Sequence, residues 1–119
     1  EPNRDFVAIS ASVGYSLGLK KDGTVIPWGR NEWGECTVPE PSSDLVAVSA
    51  GLGHCLGLKK DGSVVGWGRI DFYYDPTKVP DPNRDFVAVA TGFRASYGVK
   101  KDGSIVAWGR CLPPFPRER

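Results

Sequence analysis

His54 is the only histidine among the 119 residues, so any Ser/His/Asp or Cys/His device for nucleophilic catalysis has to be built on it. Its neighbour Cys55 alternates to the opposite face of an extended strand, which separates the one neutral-pH base from the nearest thiol. The carboxylates offer no better pair. Asp22, Asp61 and Asp102 each precede a glycine at the same place in a repeated phrase, whereas acid/base work needs two groups aimed at one bond. Asp-Gly is too short to be a calcium loop, and no glycine-rich phosphate cradle leads from a strand into a helix. Cys36, Cys55 and Cys111 are odd in number and stand at different places in the repeat, which fits neither a disulfide framework nor paired metal ligands. They read as free thiols. The expectation is a non-enzymatic chain that binds, with no metal and no cofactor.

The residues suited to binding are aromatic and basic. Glu32, Trp33, Phe72, Tyr73, Tyr74, Phe93, Arg94, Tyr15 and His54 gather the types that dominate interface hot spots, and all are expected to contact a partner. What must position them is repetition. The phrase Leu19–Arg30 returns as Leu58–Arg69 and Val99–Arg110, each time with Asp-Gly between two alternating apolar runs. That pattern predicts a tight hairpin whose turn needs positive φ. Trp28, Trp67 and Trp108 close the three hairpins and are expected to be buried with Ile26, Val65 and Val106. Short strands precede the hairpins at Phe6–Ser10, Leu45–Ser49 and Phe86–Ala90, each led in by a turn-forming connector with proline and aspartate. A fourth, weaker strand is expected at Cys36–Val38, echoed at Thr77–Val79. Small residues such as Ser16 and Gly18 on the second strand would let a neighbouring sheet come close.

A meander of short strands recurring every forty residues or so is the blade of a β-propeller. The fold class is therefore all-β, one domain over residues 1–119 with repeats 1–39, 40–80 and 81–119. No segment carries the 3.6-residue period of a helix. Ile70–Pro76 enlarges the last loop of the second repeat, and Cys111–Arg119 is too proline-rich for a central strand. Chain direction sorts the loops. The Lys-Asp-Gly turns fall at one end with Lys20, Lys21, Lys59, Lys60, Lys100 and Lys101, which read as solvated; the aromatic loops fall at the other.

The net charge of +1 gives no electrostatic case for nucleic acid, and apolar runs of four or five residues give none for a spanning helix. A protein partner is expected, with neither nucleic acid nor membrane. Methionine is absent, even at position 1, which reads as a piece of a longer protein or a processed product.

The succession of a Val-Ala-Val strand, an Ala-Gly loop, Leu-Gly-Leu-Lys, Asp-Gly and Trp-Gly, followed by Asn31-Glu32-Trp33-Gly34-Glu35-Cys36-Thr37-Val38-Pro39, resembles the repeat of the regulator of chromosome condensation family over residues 1–110. It is most similar to the bacterial branch that includes the propeller-type β-lactamase inhibitor protein. The resemblance implies seven blades, where this chain has three. It also implies that the partner is gripped by the face built from two loops, with Glu32-Trp33 and Phe72-Tyr73-Tyr74 matching one and Phe93-Arg94 the other. Alternative readings are a guanine-nucleotide exchange regulator of a small GTPase, which in such relatives needs an inserted wedge, and a self-assembling propeller fragment. Three blades leave two open ends. Two copies would give six blades, and the ten steps from Arg30 to Glu40 equal those from Arg110 through Arg119 to a second Glu1, so a homodimeric ring is expected.

Overall fold

The computed structural model describes residues 5–32, 34–39, 44–70 and 75–109. Their strands are β1 (Phe6–Ser12), β2 (Tyr15–Lys20), β3 (Val25–Gly29), β4 (Leu45–Ala50), β5 (His54–Lys59), β6 (Val64–Gly68), β7 (Phe86–Thr91), β8 (Ala95–Lys100) and β9 (Ile105–Gly109). They form three antiparallel sheets in the orders β1-β2-β3, β4-β5-β6 and β7-β8-β9. These are three propeller blades.

Each hairpin register is pinned at its turn: Leu19 faces Val25, Leu58 faces Val64 and Val99 faces Ile105. The turn holds three residues, Lys21-Asp22-Gly23 and its equivalents, closed by Lys20 N–H to Thr24 O at 2.9 Å. Only the glycine takes positive φ, at 90°, 89° and 90° for Gly23, Gly62 and Gly103. The aspartate is held otherwise. Asp22 Oδ1 accepts the Thr24 N–H at 3.0 Å and the Thr24 hydroxyl at 2.8 Å, and Asp61 and Asp102 do the same with Ser63 and Ser104. The turn is thus a side-chain-capped three-residue loop with a left-handed glycine.

The expected fourth strand does not form. Residues 36–38 and 77–79 lie outside every sheet, because this segment is wedged between its own third strand and the next blade. Thr77 lies so close to Gly66 that a Cβ there would stand 2.6 Å from the Thr77 carbonyl oxygen. The carbonyls of Glu35 and Pro76 point away from their own blade, at the indoles of Trp67 and Trp108 in the blade that follows. The small residues of β2 also serve differently from expectation. A Cβ on Gly18 would meet Phe6 at 2.5 Å and one on Gly98 would meet Phe86 at 2.5 Å, so the space is filled by a ring from the same blade rather than by a neighbouring sheet.

Blades stack through two apolar clusters. Leu17, Leu19 and Val25 of the first blade pack on Leu45, Cys55 and Trp67 of the second; Leu56, Leu58 and Val64 of the second pack on Phe86 and Trp108 of the third. Complete burial of a leucine such as Leu17 or Leu56 stabilises by about 1.5–3 kcal/mol. The first strands of successive blades touch, β1 on β4 and β4 on β7, so they form the inner side of an arc. A bulge after Phe6, Leu45 and Phe86 leaves Val7, Val46 and Val87 unpaired and exposed.

Candidate functional site

The β1–β2, β4–β5 and β7–β8 loops and the chain leaving β3 and β6 share one end of the arc. Their apolar positions form a row: Val13 is 63% exposed, Phe93 59% and Ile70 59%, with Leu52 half-buried between them. Arg94 stands where the other two blades place Gly14 and Gly53, and it adopts the same left-handed backbone, with φ 59° against 85° and 91°. A non-glycine residue in that region is uncommon, and such residues cluster at functional sites. Its guanidinium lies 5.4 Å from the Phe93 ring centroid, at cation–π distance.

Of the expected contact residues, Glu32 and Phe93 are exposed at this end and Arg94 is half-buried beside them. Trp33, Phe72, Tyr73 and Tyr74 lie outside the described residues. Tyr15 and His54 are corrected: they are 3% and 1% exposed and join blades instead of facing solvent. They occupy the same position in successive repeats. The Tyr15 hydroxyl donates to a carbonyl pair of the second blade, 2.7 Å from Gly51 O and 3.0 Å from His54 O. His54 Nε2–H donates to Ala95 O of the third blade at 3.0 Å, which fixes the tautomer. Val13, Leu52 and Ile70 were not expected. The signal was present for two of them, since 13, 52 and 93 are equivalent loop positions and all three are apolar.

A cavity of about 10 Å³ between the second and third blades is lined by Leu52, His54, Arg69, Ile70, Pro76 and Arg94. Roughly one water fills such a space, which is too small for a small-molecule ligand. The opposite end has an open recess of about 240 Å³ bordered by Asp85, Lys100, Lys101 and Asp102. Its two acids balance its two bases. Lys100 Nζ donates to Pro82 O and Arg84 O at 2.8 Å, and Lys101 pairs with Asp85 at 3.6 Å, so the basic turns are tied to their own connector.

The buried polar groups are held in non-reactive states. Burial, reinforced by Glu35 and Cys36, pushes the Cys55 thiol up to about 12 against the opposing hydrogen bond with Tyr15. Burial above all raises the Tyr15 phenol, and burial lowers His54 although its bond to Ala95 O acts the other way. Glu35 is fully buried and pairs with Arg30 Nε at 3.0 Å, which anchors the segment whose carbonyl meets Trp67. Among the described residues no three His, Cys, Asp or Glu side chains converge as metal ligands would.

Residues 45–73, the body of the second repeat, match the family model of the regulator of chromosome condensation (RCC1) repeat. No curated protein matches the chain by sequence. Among solved structures, the ectodomain of the Physcomitrella patens receptor kinase CR4 superposes with TM-score 0.75 at 24% identity, over 92% of this chain and 30% of that one. Prp20p of Saccharomyces cerevisiae, in a structure described with its binding properties to Gsp1p and histones, gives 0.73 at 23% identity over 89% and 33%. Yeast RCC1 (Prp20) bound by Kap60 gives 0.70 at 23% over 89% and 32%. The chain therefore spans about a third of the length of these three solved chains.

Proposed function

For a chain that carries the regulator of chromosome condensation repeat, folded as three propeller blades, we propose a non-enzymatic role as a protein-binding module whose contact surface is the loop end of the arc. The observation that carries the reading is the row Val13, Ile70 and Phe93, left open to solvent with half-buried Leu52 beside the strained Arg94. Apolar side chains gathered on loops, with arginine and aromatics at the rim, are the composition of a protein interface. Glu32, in the chain that leaves β3, is exposed at the same end. The grip is inhibitor-like, a partner pressed against loops, and the propeller itself is the rigid support. The yeast Prp20 structures, described with Kap60, Gsp1p and histones, support protein binding on such a scaffold.

The test compares proteins retained from a cell extract by the wild-type chain, by a Val13→Ser/Ile70→Ser/Phe93→Ser variant and by a Trp33→Ala/Tyr73→Ala/Tyr74→Ala variant. A Lys60→Ala/Lys101→Ala variant at the opposite end is the control. A retained protein lost from both loop variants and kept by the control supports the reading. Retention unchanged in both loop variants sinks it. Release of nucleotide from a small GTPase on addition of the chain would instead favour the exchange-regulator reading.

A further inference from the structure

The two joints between blades differ at one place where the first carries an ion pair. There Arg30 Nε donates to Glu35 Oε2 at 3.0 Å, and the Glu35 side chain is entirely buried. The second joint has the same construction. The carbonyls of Glu35 and Pro76 accept the indole N–H of Trp67 and Trp108 at 2.9 and 2.8 Å, and the backbone N–H of Arg30 and Arg69 donates to Gly14 O and Gly53 O at 2.7 and 2.8 Å. Arg69 therefore stands in the place of Arg30, and Pro76 in the place of Glu35. The second joint keeps the arginine and has a proline ring where the first has a carboxylate.

The cavity of about 10 Å³ between the second and third blades touches both counterparts of that pair, Arg69 and Pro76. The third blade adds a second guanidinium to it, from Arg94, at the position where the first joint has Gly53. Arg94 stands there at φ 59°, a backbone region that its counterparts fill with glycine. None of the described residues that line the cavity is acidic, so two positive groups border one small space, and an anion placed between them offsets their repulsion. A guanidinium carries five N–H donors in a fork that matches a carboxylate, so neither arginine has to give up its contacts within the chain to receive one.

We infer, on the reading that the loop end is the contact surface, that this cleft receives a carboxylate of the partner protein, an aspartate or glutamate side chain that takes in the second joint the part Glu35 plays in the first. The space holds about one water, so one carboxylate oxygen displaces that water while the rest of the acid stays at the rim. Ile70 lines the cleft and Phe93 adjoins Arg94; each is 59% exposed and offers apolar contact to the residues beside the acid. The partner's segment is thus an acid flanked by apolar side chains. Pairing of guanidinium with carboxylate fixes where on the row that segment sits.

Short random peptides displayed on phage and selected on the immobilised full chain supply the probe. Enriched peptides are expected to carry an aspartate or glutamate next to an apolar residue. Synthetic copies with that acid changed to its amide should bind at least roughly tenfold more weakly, as for the loss of one charge-assisted hydrogen bond. Two variants, checked by far-ultraviolet circular dichroism, test the slot from the other side: Arg94→Gly restores the residue of the other repeats, and Pro76→Glu supplies an internal carboxylate in the manner of Glu35. Each should bind the acidic and amide peptides alike, close to the affinity of the wild type for the amide. Arg94→Gly should also melt no lower than the wild type, because glycine suits the positive φ; a lower midpoint would make Arg94 a strut of the joint and overturn its role as a contact. Enrichment of peptides without an acid, no enrichment at all, or an amide that binds as well as the acid overturns the slot. An Ile70→Ser/Phe93→Ser variant separates this result from the wider reading. Acidic peptides that it binds as tightly as the wild type show that the loop end is not the surface, whereas peptides that it loses but whose acid is dispensable leave the surface standing and refute the slot. Should Pro76→Glu fail to fold, Arg94→Gly and the amide peptides decide.

Discussion

At the scale of single residues, burial decides which polar groups can react. Cys55 is fully buried, with its thiol pushed up to about 12, whereas Cys36 is half-buried and raised by burial and by Glu35. Alkylation of the native chain should therefore spare Cys55 while it modifies Cys36 slowly; mass mapping after brief treatment checks this, and unfolding in denaturant should make Cys55 react like any free thiol. His54 carries a pH effect of definite sign. Its folded-state value is lowered by burial, so the folded chain binds a proton less readily than the unfolded one, and stability falls as the pH drops below the ordinary histidine value of 6.5. Thermal melts between pH 7.5 and 5 should show a midpoint that declines on acidification, and His54→Gln should flatten that decline. An equal slope in both chains would mean that carboxylates elsewhere govern the acid response.

At the scale of elements, the hairpins were legible because their signal is local. Asp22-Gly23 and its copies announce a turn, the alternation on either side announces strands, and the registers Leu19 to Val25 and Leu58 to Val64 follow from those two facts. The segment after each hairpin was misread for the opposite reason. Cys36-Thr37-Val38 and Thr77-Lys78-Val79 have strand-like composition, but the carbonyl just before each accepts an indole N–H of the next blade and Thr77 packs on Gly66 of its own, contacts made with residues distant in sequence. The same non-local packing hid the difference among the three tryptophans, which look equivalent in the repeat. Trp67→Ala and Trp108→Ala should each cost about 3–5 kcal/mol in denaturant unfolding. Trp28→Ala should cost distinctly less, since nearly half of that ring is already open to solvent. Gly66→Ala should cost about 1–3 kcal/mol by overpacking against the Thr77 backbone, and a loss near zero would show that the wedge segment is free to move aside.

At the scale of the whole molecule, the loop surface and the joints between blades call on different physics. The row from Val13 to Phe93 is built from side chains on turns that need no neighbour to hold them, so its amino-acid types could be anticipated while its membership could not. Tyr15 and His54 show the limit: aromatic and polar residues at loop edges read as contacts, and only the stacking of blades reveals that both groups reach across a joint to backbone carbonyls.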